Sequence, residues 1–305
     1  MKILGVLIGF LFCSFSTVAG LTPLTLALDW SINPNHAPIL IAEQKGYFAS
    51  EGLSVRLLTP TETEEPLRLV LSGHADMAVS YPTDLIFAQA KGLPMVQVGA
   101  LFNRSVNCLT VLKSSGISTL KQLEGKKIGL SGGATGSAML KIMLQRAGVD
   151  LSKVQFVTVQ MGLAGALISH QVSGVWGFSS NDEPILLARM GHPVSLFLPE
   201  SEGLPSMDGY IFIAKKDVLS GATQQAFLRA IHQAVVFIKA HPTKAWQILI
   251  KAYPEALAPD LKSEQANHQV FLATLPFYAV NPGQVDPAQL ETLRKFMEDQ
   301  GILNN

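Results

Sequence analysis

Short apolar runs alternate with longer segments of helical spacing along the chain after residue 20. The runs at 24–30, 53–59 and 75–81 are rich in Leu, Val and Ala and have the length of strands. Two further runs, 95–102 and 107–113, also predict strands. The helices expected among these strands cover 36–52, 64–74 and 82–92. Strands that alternate with helices are typical of an α/β fold with a largely parallel sheet.

The same alternation starts again after residue 125. It predicts strands at 126–132, 154–160, 175–180 and 209–217 and helices at 134–148, 165–174 and 181–191. After residue 217 the pattern is helical and contains no further strand. These last helices need a sheet to cover, and we expect them to cover the sheet built by the first part of the chain.

The repeated alternation predicts two α/β lobes, each a mostly parallel sheet flanked by helices. We expect lobe 1 to contain 21–106 and 213–305 and lobe 2 to contain 107–212, so that the chain crosses between them twice. In such folds ligands bind in the crevice outside the carboxyl ends of the strands. The predicted site is therefore a cleft between the lobes.

Residues 1–20 have the pattern of a secretory signal. Lys2 precedes a mostly apolar segment, and small residues favour cleavage after Ala19 or Gly20. A retained membrane anchor is the alternative, but the apolar run is short for a span of about 20 residues and has no cationic flank. Cleavage would leave one cysteine, Cys108, and therefore no internal disulfide. Export of a near-neutral chain points to the periplasm.

Charge and motifs exclude several classes of function. The chain has 23 Lys and Arg against 23 Asp and Glu, and no basic run, which argues against nucleic-acid binding. A content of 48% hydrophobic and 15% charged residues argues against disorder. HExxH, CxxC, GxSxG and Walker motifs are absent from the sequence. We therefore expect no metal, no cofactor and no catalytic residues, and a monomer that binds a small molecule.

Polar and aromatic residues collect where the first and third strands end. Trp30 follows the first strand, and the loop after it brings Asn33 and His36 to the start of a helix, where backbone N–H groups favour an acceptor. A helix cap and a buried Trp are the structural alternative. Ser80 and Tyr81 end the third strand, where a packed tyrosine is the alternative. All five are candidate ligand-binding residues.

Two later segments supply the other candidates. Gly132 and Gly133 lie in a glycine-rich turn before a helix. The backbone N–H groups of such a turn can bind an oxygen of a ligand, and a plain tight turn is the structural alternative. Trp176, Asn181 and Glu183 lie at or after the strand 175–180. A carboxylate before Pro184 either caps the helix or accepts from the N–H groups of a heterocycle. Stacking on an aromatic ring contributes about 0.5–1.5 kcal/mol beyond buried area.

The segment 26–53, LALDWSINPNHAPILIAEQKGYFASEGL, resembles periplasmic binding proteins for thiamine-pyrimidine precursors. This family also includes fungal hydroxymethylpyrimidine phosphate synthases and some riboflavin-binding transport proteins. The similarity continues through LRLVLSGHADMAVSYPTDLIFAQAKGLPMVQVGAL, LEGKKIGLSGG, NDEPILLARMGHP and AHPTKAWQILIKAYPE. The resemblance implies a type II-like, hinge-closing binding protein that passes a small heterocyclic ligand to an ABC permease.

The resemblance also implies roles for the candidates. A pyrimidine would stack on Trp30 and on Trp176 or Tyr81, while a carboxylate in the cleft would form hydrogen bonds with its nitrogens. The polar edge would be read by Asn33, His36 and Glu183, and Gly132 and Gly133 would present N–H groups to an oxygen substituent. Asp29 would orient the loop.

The synthases of this family need an active-site histidine and a lysine that anchors pyridoxal phosphate. Here those positions read Asp84 and Ser80, and no cysteine-rich run precedes the strand at 209–217. These departures oppose the enzyme. Riboflavin and a small sulfonate or nitrate-type anion remain alternative ligands, and a sensory role remains an alternative to transport.

Overall fold

The computed structural model of the protein describes residues 20–60, 65–131, 134–159, 162–256 and 264–304. Within them the strands are Thr22–Ala27 (β1), Leu53–Leu58 (β2), Met77–Ser80 (β3), Met95–Ala100 (β4), Asn107–Leu112 (β5), Lys127–Leu130 (β6), Gln155–Thr158 (β7), Gly174–Ser179 (β8), Val194–Phe197 (β9) and Ile211–Lys215 (β10). The α-helices are Ala37–Gln44 (α1), Tyr47–Ser50 (α2), Glu65–Leu71 (α3), Pro82–Ala90 (α4), Ala134–Arg146 (α5), Leu163–Ile168 (α6), Glu183–Arg189 (α7), Gly221–Ala240 (α8), Pro242–Ala252 (α9), Glu264–Thr274 (α10) and Pro287–Asp299 (α11). The predicted signal segment lies outside the described residues.

The strands form two five-stranded sheets. The first has the order β2-β1-β3-β10-β4, with β1 parallel to β2 and β3 and with β10 antiparallel to β3 and β4. The second has the order β7-β6-β8-β5-β9, with β5 as its antiparallel strand. The predicted α/β architecture of two mostly parallel sheets is confirmed. Because β10 begins at Ile211, the chain returns to the first sheet slightly before the expected boundary at residue 213.

Each sheet has its own buried cluster of apolar side chains. The first cluster joins β1, β3 and β10 to the apolar faces of α1 and α8, as predicted for the later helices. The second joins β5, β6 and β8 to α5. Contrary to expectation, α11 contributes Leu293 and Met297, both fully buried, to the second cluster rather than the first. The spacing of these two residues puts them on one face of α11, and that face meets the second sheet's cluster.

Three other elements differ from the prediction. The helix expected over 36–52 is divided, because Gly46 adopts a left-handed backbone (φ 70°) between α1 and α2. The edge strand β9 and the helix α10 were not predicted. None of the α-helices in the described ranges is both long and apolar enough to span a membrane.

The two crossings between the sheets touch each other. One crossing follows β4 and the other precedes β10. A Cβ atom placed on Gly209 would lie 2.4 Å from the backbone oxygen of Arg104, so the second crossing needs a glycine here. Tyr210, the next residue, accepts backbone hydrogen bonds from Leu101 and Phe102. The two crossings therefore pack against each other, and the chain passes between the sheets at one place.

Candidate ligand-binding cleft

A cavity of about 550 Å³ has walls from both halves of the chain. Asp29, Ser80 and Tyr81 line it at the ends of first-sheet strands. Ser137 and Lys141 of α5 line it as well, and further wall residues are Asp84 and Phe87 of α4 and Gln300–Ile302 after α11. Among the predicted site residues, Ser80 and Tyr81 therefore face this space. Its volume is in the range of small-molecule pockets.

A chain of hydrogen bonds positions the Asp29 carboxylate at the cavity wall. The Tyr81 hydroxyl donates to Asp29 Oδ2 over 3.0 Å, and His36 Nε2 lies 2.8 Å from Asp29 Oδ1. The Asn33 backbone N–H donates to His36 Nδ1 over 3.3 Å, so Nδ1 is the acceptor and Nε2 the donor. The structure thus reverses two predicted roles. His36 is fully buried and orients Asp29, while Asp29 faces the cavity.

Asn33 acts as a helix cap, which was the structural alternative. Its side-chain oxygen accepts from the Asn35 backbone N–H over 2.8 Å, and its amide donates to the Ser31 carbonyl. Both polar ends are used locally, so the predicted contact of Asn33 with a ligand is not supported. Trp30 precedes this turn and is 39% exposed, which leaves ring surface open.

A second buried network connects the two sheets. Asn181 Nδ2 donates to Asn35 Oδ1 and to Thr274 Oγ1, each over 2.8 Å. Asn35 Nδ2 donates in turn to the Tyr210 hydroxyl over 3.3 Å, and the Tyr210 ring lies 5.2 Å from that of Tyr81. The Asn181 side chain thereby joins the turn after β8 to the loop after β1. Sequence reasoning missed Asn35, Tyr210 and Thr274, and the one available signal was that Asn35 is adjacent to a predicted polar loop position.

One atom of this network has no partner. Asn181 is 3% exposed, and its Oδ1 accepts no hydrogen bond in the described part of the chain. A buried acceptor without a donor costs about 1–3 kcal/mol. The described residues supply no donor to this oxygen.

The Glu183 carboxyl lies on the same turn as Asn181. The Ser179 backbone N–H donates to Glu183 Oε2 over 2.8 Å. Burial and the neighbouring Asp182 raise the Glu183 pKa to about 8, and burial raises the Asp182 pKa to about 6. Burial also raises the pKa values of Tyr81 and Tyr210. Burial thus favours the uncharged form of both carboxyl groups on this turn.

Of the predicted residues that the structure describes, the cavity lining includes only Ser80 and Tyr81, so ligand contacts of Trp30, Asn181 and Glu183 stay predictions. Trp176 is 3% exposed and belongs to the second sheet's cluster together with Leu109 and Met143. The ring is packed in this core, which was the structural alternative, and Trp30 and Tyr81 remain the candidates for stacking. Gly132 and Gly133 lie outside the described residues.

Residues 33–245 match the family described as NMT1/THI5 like. The chain belongs to this family. It is 35% identical over 280 residues to a putative thiamine biosynthesis protein of Haemophilus influenzae, covering 92% of this chain and 88% of that protein. It is 30% identical over 266 residues to the formylaminopyrimidine-binding protein of Halalkalibacterium halodurans, covering 85% and 81%. A 4-amino-5-hydroxymethyl-2-methylpyrimidine phosphate synthase of Legionella pneumophila is 27% identical over 261 residues, covering 84% and 79%.

Solved structures identify the fold of this family member. The alkanesulfonate-binding protein SsuA from Xanthomonas axonopodis pv. citri matches with a TM-score of 0.70 at 17% identity, covering 94% of this chain and 96% of that chain. The periplasmic aliphatic sulphonate binding protein SsuA from Escherichia coli matches with a TM-score of 0.71 at 15% identity, covering 93% and 94%. The fold is that of periplasmic binding proteins.

Polar side chains line the cavity of this NMT1/THI5-like chain, among them Asp29, Ser80 and Lys141. Ser80 ends β3 with a hydroxyl where a Schiff base would need an amine. Within the described ranges, no three His, Cys, Asp or Glu residues are grouped to hold a metal ion. The cavity wall offers the Asp29 carboxyl group and the Tyr81 ring, and Trp30, which follows Asp29 in the chain, is 39% exposed.

Proposed function

We propose that this protein is the periplasmic solute-binding component of an ABC importer for a thiamine pyrimidine precursor of the hydroxymethylpyrimidine or formylaminopyrimidine type. The observation that carries the proposal is the unpartnered, buried Asn181 Oδ1 two residues from the Glu183 carboxyl. The formylaminopyrimidine-binding relative supports the ligand class. The fold supports a role in binding and transport.

An aminopyrimidine complements this turn. Its ring nitrogen accepts a hydrogen bond, and the amine beside it donates one. Glu183 supplies a donor when protonated, and Asn181 Oδ1 accepts. Trp30 and Tyr81 offer ring faces for stacking, and Gly132 and Gly133 remain proposed donors to a formyl or hydroxymethyl oxygen.

We further propose that binding closes the cleft. In this proposal lobe 1 comprises 21–106 and 213–305 and lobe 2 comprises 107–212, with the joint at the touching crossings. Closure of a monomer around the pyrimidine would trap it, and a permease would recognise the closed form. A leader removed near Ala19 or Gly20 would deliver the chain to the periplasm.

Two alternatives are weaker on physical grounds. A sulfonate or nitrate would pair with Lys141 on the cavity wall, but the carboxyl groups of Asp29 and Asp84 line the same cavity, and like charges disfavour its binding there. Riboflavin is the second candidate, because a cavity of about 550 Å³ has room for more than a single pyrimidine ring. We propose no enzyme activity, because Ser80 offers no amine to anchor pyridoxal phosphate.

The test is a ligand panel on the mature protein. Thermal shift and calorimetry would compare 4-amino-5-hydroxymethyl-2-methylpyrimidine, formylaminopyrimidine, thiamine, riboflavin and taurine. We expect stabilisation by a pyrimidine alone. The Glu183→Ala variant should bind at least tenfold more weakly, about 1.4 kcal/mol, whereas Glu200→Ala, a half-buried glutamate outside the cleft, should bind normally. Stabilisation by riboflavin or taurine alone would replace the proposed ligand.

A further inference from the structure

The cavity follows two helices over most of their length. Tyr81 and Lys91, which both line it, flank α4 at its two ends. Ten residues of α-helix rise about 15 Å, so the cavity extends over about that distance. On the other side Ser137, Lys141 and Gln145 line it, and their spacing of four residues puts them on one face of α5. The cavity is therefore elongated and lies between α4 and α5.

The carboxyl groups of the cavity wall lie toward one end. The Tyr81 hydroxyl donates to Asp29 Oδ2 over 3.0 Å, so Asp29 lies where α4 begins. Asp84 is on the first turn of the same helix, and Lys91 follows the last turn. The seven residues from Asp84 to Lys91 rise about 10 Å, which exceeds the Debye length of about 8 Å at physiological ionic strength. The carboxylates therefore oppose an anion beside Lys91 only weakly.

Two lysines of the wall have no carboxylate partner among the described residues. None of the ion pairs formed by these residues involves Lys91 or Lys141, and both side chains are exposed. Lys141 Nζ lies 5.5 Å from the centre of the Phe156 ring, a contact that does not neutralise its charge. Arg68 of α3 is a further cation of the wall. Helices of both halves of the chain thus bring positive charge to one cavity.

We propose that the cavity takes an aminopyrimidine that carries an anionic arm, with the ring at the Tyr81 end and the arm directed toward Lys91 and Lys141. This inference rests on the proposed function and narrows the ligand class of that site. The ring keeps the anionic group away from the carboxylates of Asp29 and Asp84. A free sulfonate or nitrate has no such ring and would gain only the contacts with the lysines.

The experiment is calorimetry with 4-amino-5-hydroxymethyl-2-methylpyrimidine and with its phosphate ester, which differ by one anionic group. The wild type should bind the ester at least tenfold more tightly than the alcohol at low salt. This ratio should shrink as salt is added, because ions screen exposed charges. Lys91→Gln and Lys141→Gln should each lower the ratio. Lys127→Gln is the matched control and should keep it, because Lys127 is an exposed lysine at the start of β6, outside the cavity wall.

The outcomes separate this inference from the proposed function. Equal affinities for the alcohol and the ester, or tighter binding of the alcohol, would overturn the inference while leaving pyrimidine binding intact. A double variant, Lys91→Gln with Lys141→Gln, that keeps the wild-type ratio would overturn it as well. If the wild type binds neither compound at any salt concentration, the proposed function fails, and the inference fails with it. Thermal unfolding of each variant checks that the fold is retained.

Discussion

Replacing Trp30 and Trp176 by alanine, one at a time, separates the tryptophan proposed to contact the ligand from a tryptophan of the core. Trp30 is 39% exposed and Trp176 is 3% exposed. A tryptophan has up to about 250 Å² of side-chain surface to bury, so the difference corresponds to about 90 Å². At about 25 cal/mol per Å² this is about 2 kcal/mol.

We therefore expect Trp176→Ala to lower the free energy of unfolding by about 3–5 kcal/mol and Trp30→Ala to lower it by about 2 kcal/mol less. For 305 residues with an unfolding entropy of about 2.1 cal/mol/K each, the gap corresponds to a melting temperature about 3 °C lower for Trp176→Ala than for Trp30→Ala. Ligand binding should show the opposite order. Trp30→Ala should lose at least tenfold in pyrimidine affinity, about 1.4 kcal/mol, and Trp176→Ala should stay close to the wild type.

Urea unfolding of the ligand-free variants gives the first quantity, and calorimetry with the pyrimidine gives the second. Equal unfolding free energies for the two variants would refute the assignment of Trp176 to the core and Trp30 to the cleft. A larger loss of affinity in Trp176→Ala would refute it as well.

Three further substitutions test other contacts. Tyr81→Phe removes a hydrogen bond to the Asp29 carboxylate and should lower the free energy of unfolding by about 1.5–3 kcal/mol. An unchanged urea midpoint would contradict a stabilising role for the hydrogen bonds around Asp29. The pKa of Glu183 in the folded protein lies above its ordinary value of 4.5. The wild type should therefore lose stability relative to Glu183→Gln as pH rises from about 5 to about 8, by up to about 1.4 kcal/mol per pH unit. Urea unfolding at several pH values tests this, and a difference in unfolding free energy that stays the same at every pH would contradict it. Gly209→Ala forces a Cβ against the Arg104 backbone oxygen and should destabilise by about 1–3 kcal/mol; thermal unfolding equal to the wild type would contradict the tight crossing.

Sequence periodicity predicted the strands that are apolar for most of their length, because burial on both faces of a sheet requires such runs. β1, β3 and β10 are of this kind. It missed β9, whose four residues are mostly half-buried at the edge of the second sheet. It missed α10, whose sequence EQANHQVFLAT alternates polar and apolar residues without a clear stripe. Such elements acquire their structure from neighbours that the local pattern does not reveal.

Sequence reasoning is limited in a similar way when it assigns roles to single side chains of the site. The sequence indicated which loops follow strand ends, and Asp29, Ser80 and Tyr81 from two of these loops line the cavity. It could not indicate which side chain of a loop faces the ligand, because that depends on backbone direction within one turn. Asn33 caps the turn, whereas Asn35, two residues later, joins the network that links the sheets. Trp176 points into a core for the same reason.

The placement of β10 also bears on the order in which the protein folds. The second sheet is formed by β5–β9, which follow one another along the chain, whereas the first sheet lacks β10 until that strand returns to lie between β3 and β4. Contacts that close long loops form late. In a refolding experiment with pulsed hydrogen exchange, we therefore expect amides of β6 and β8 to become protected before those of β10. During refolding the first sheet would thus remain incomplete until β10, its last strand along the chain, is in place.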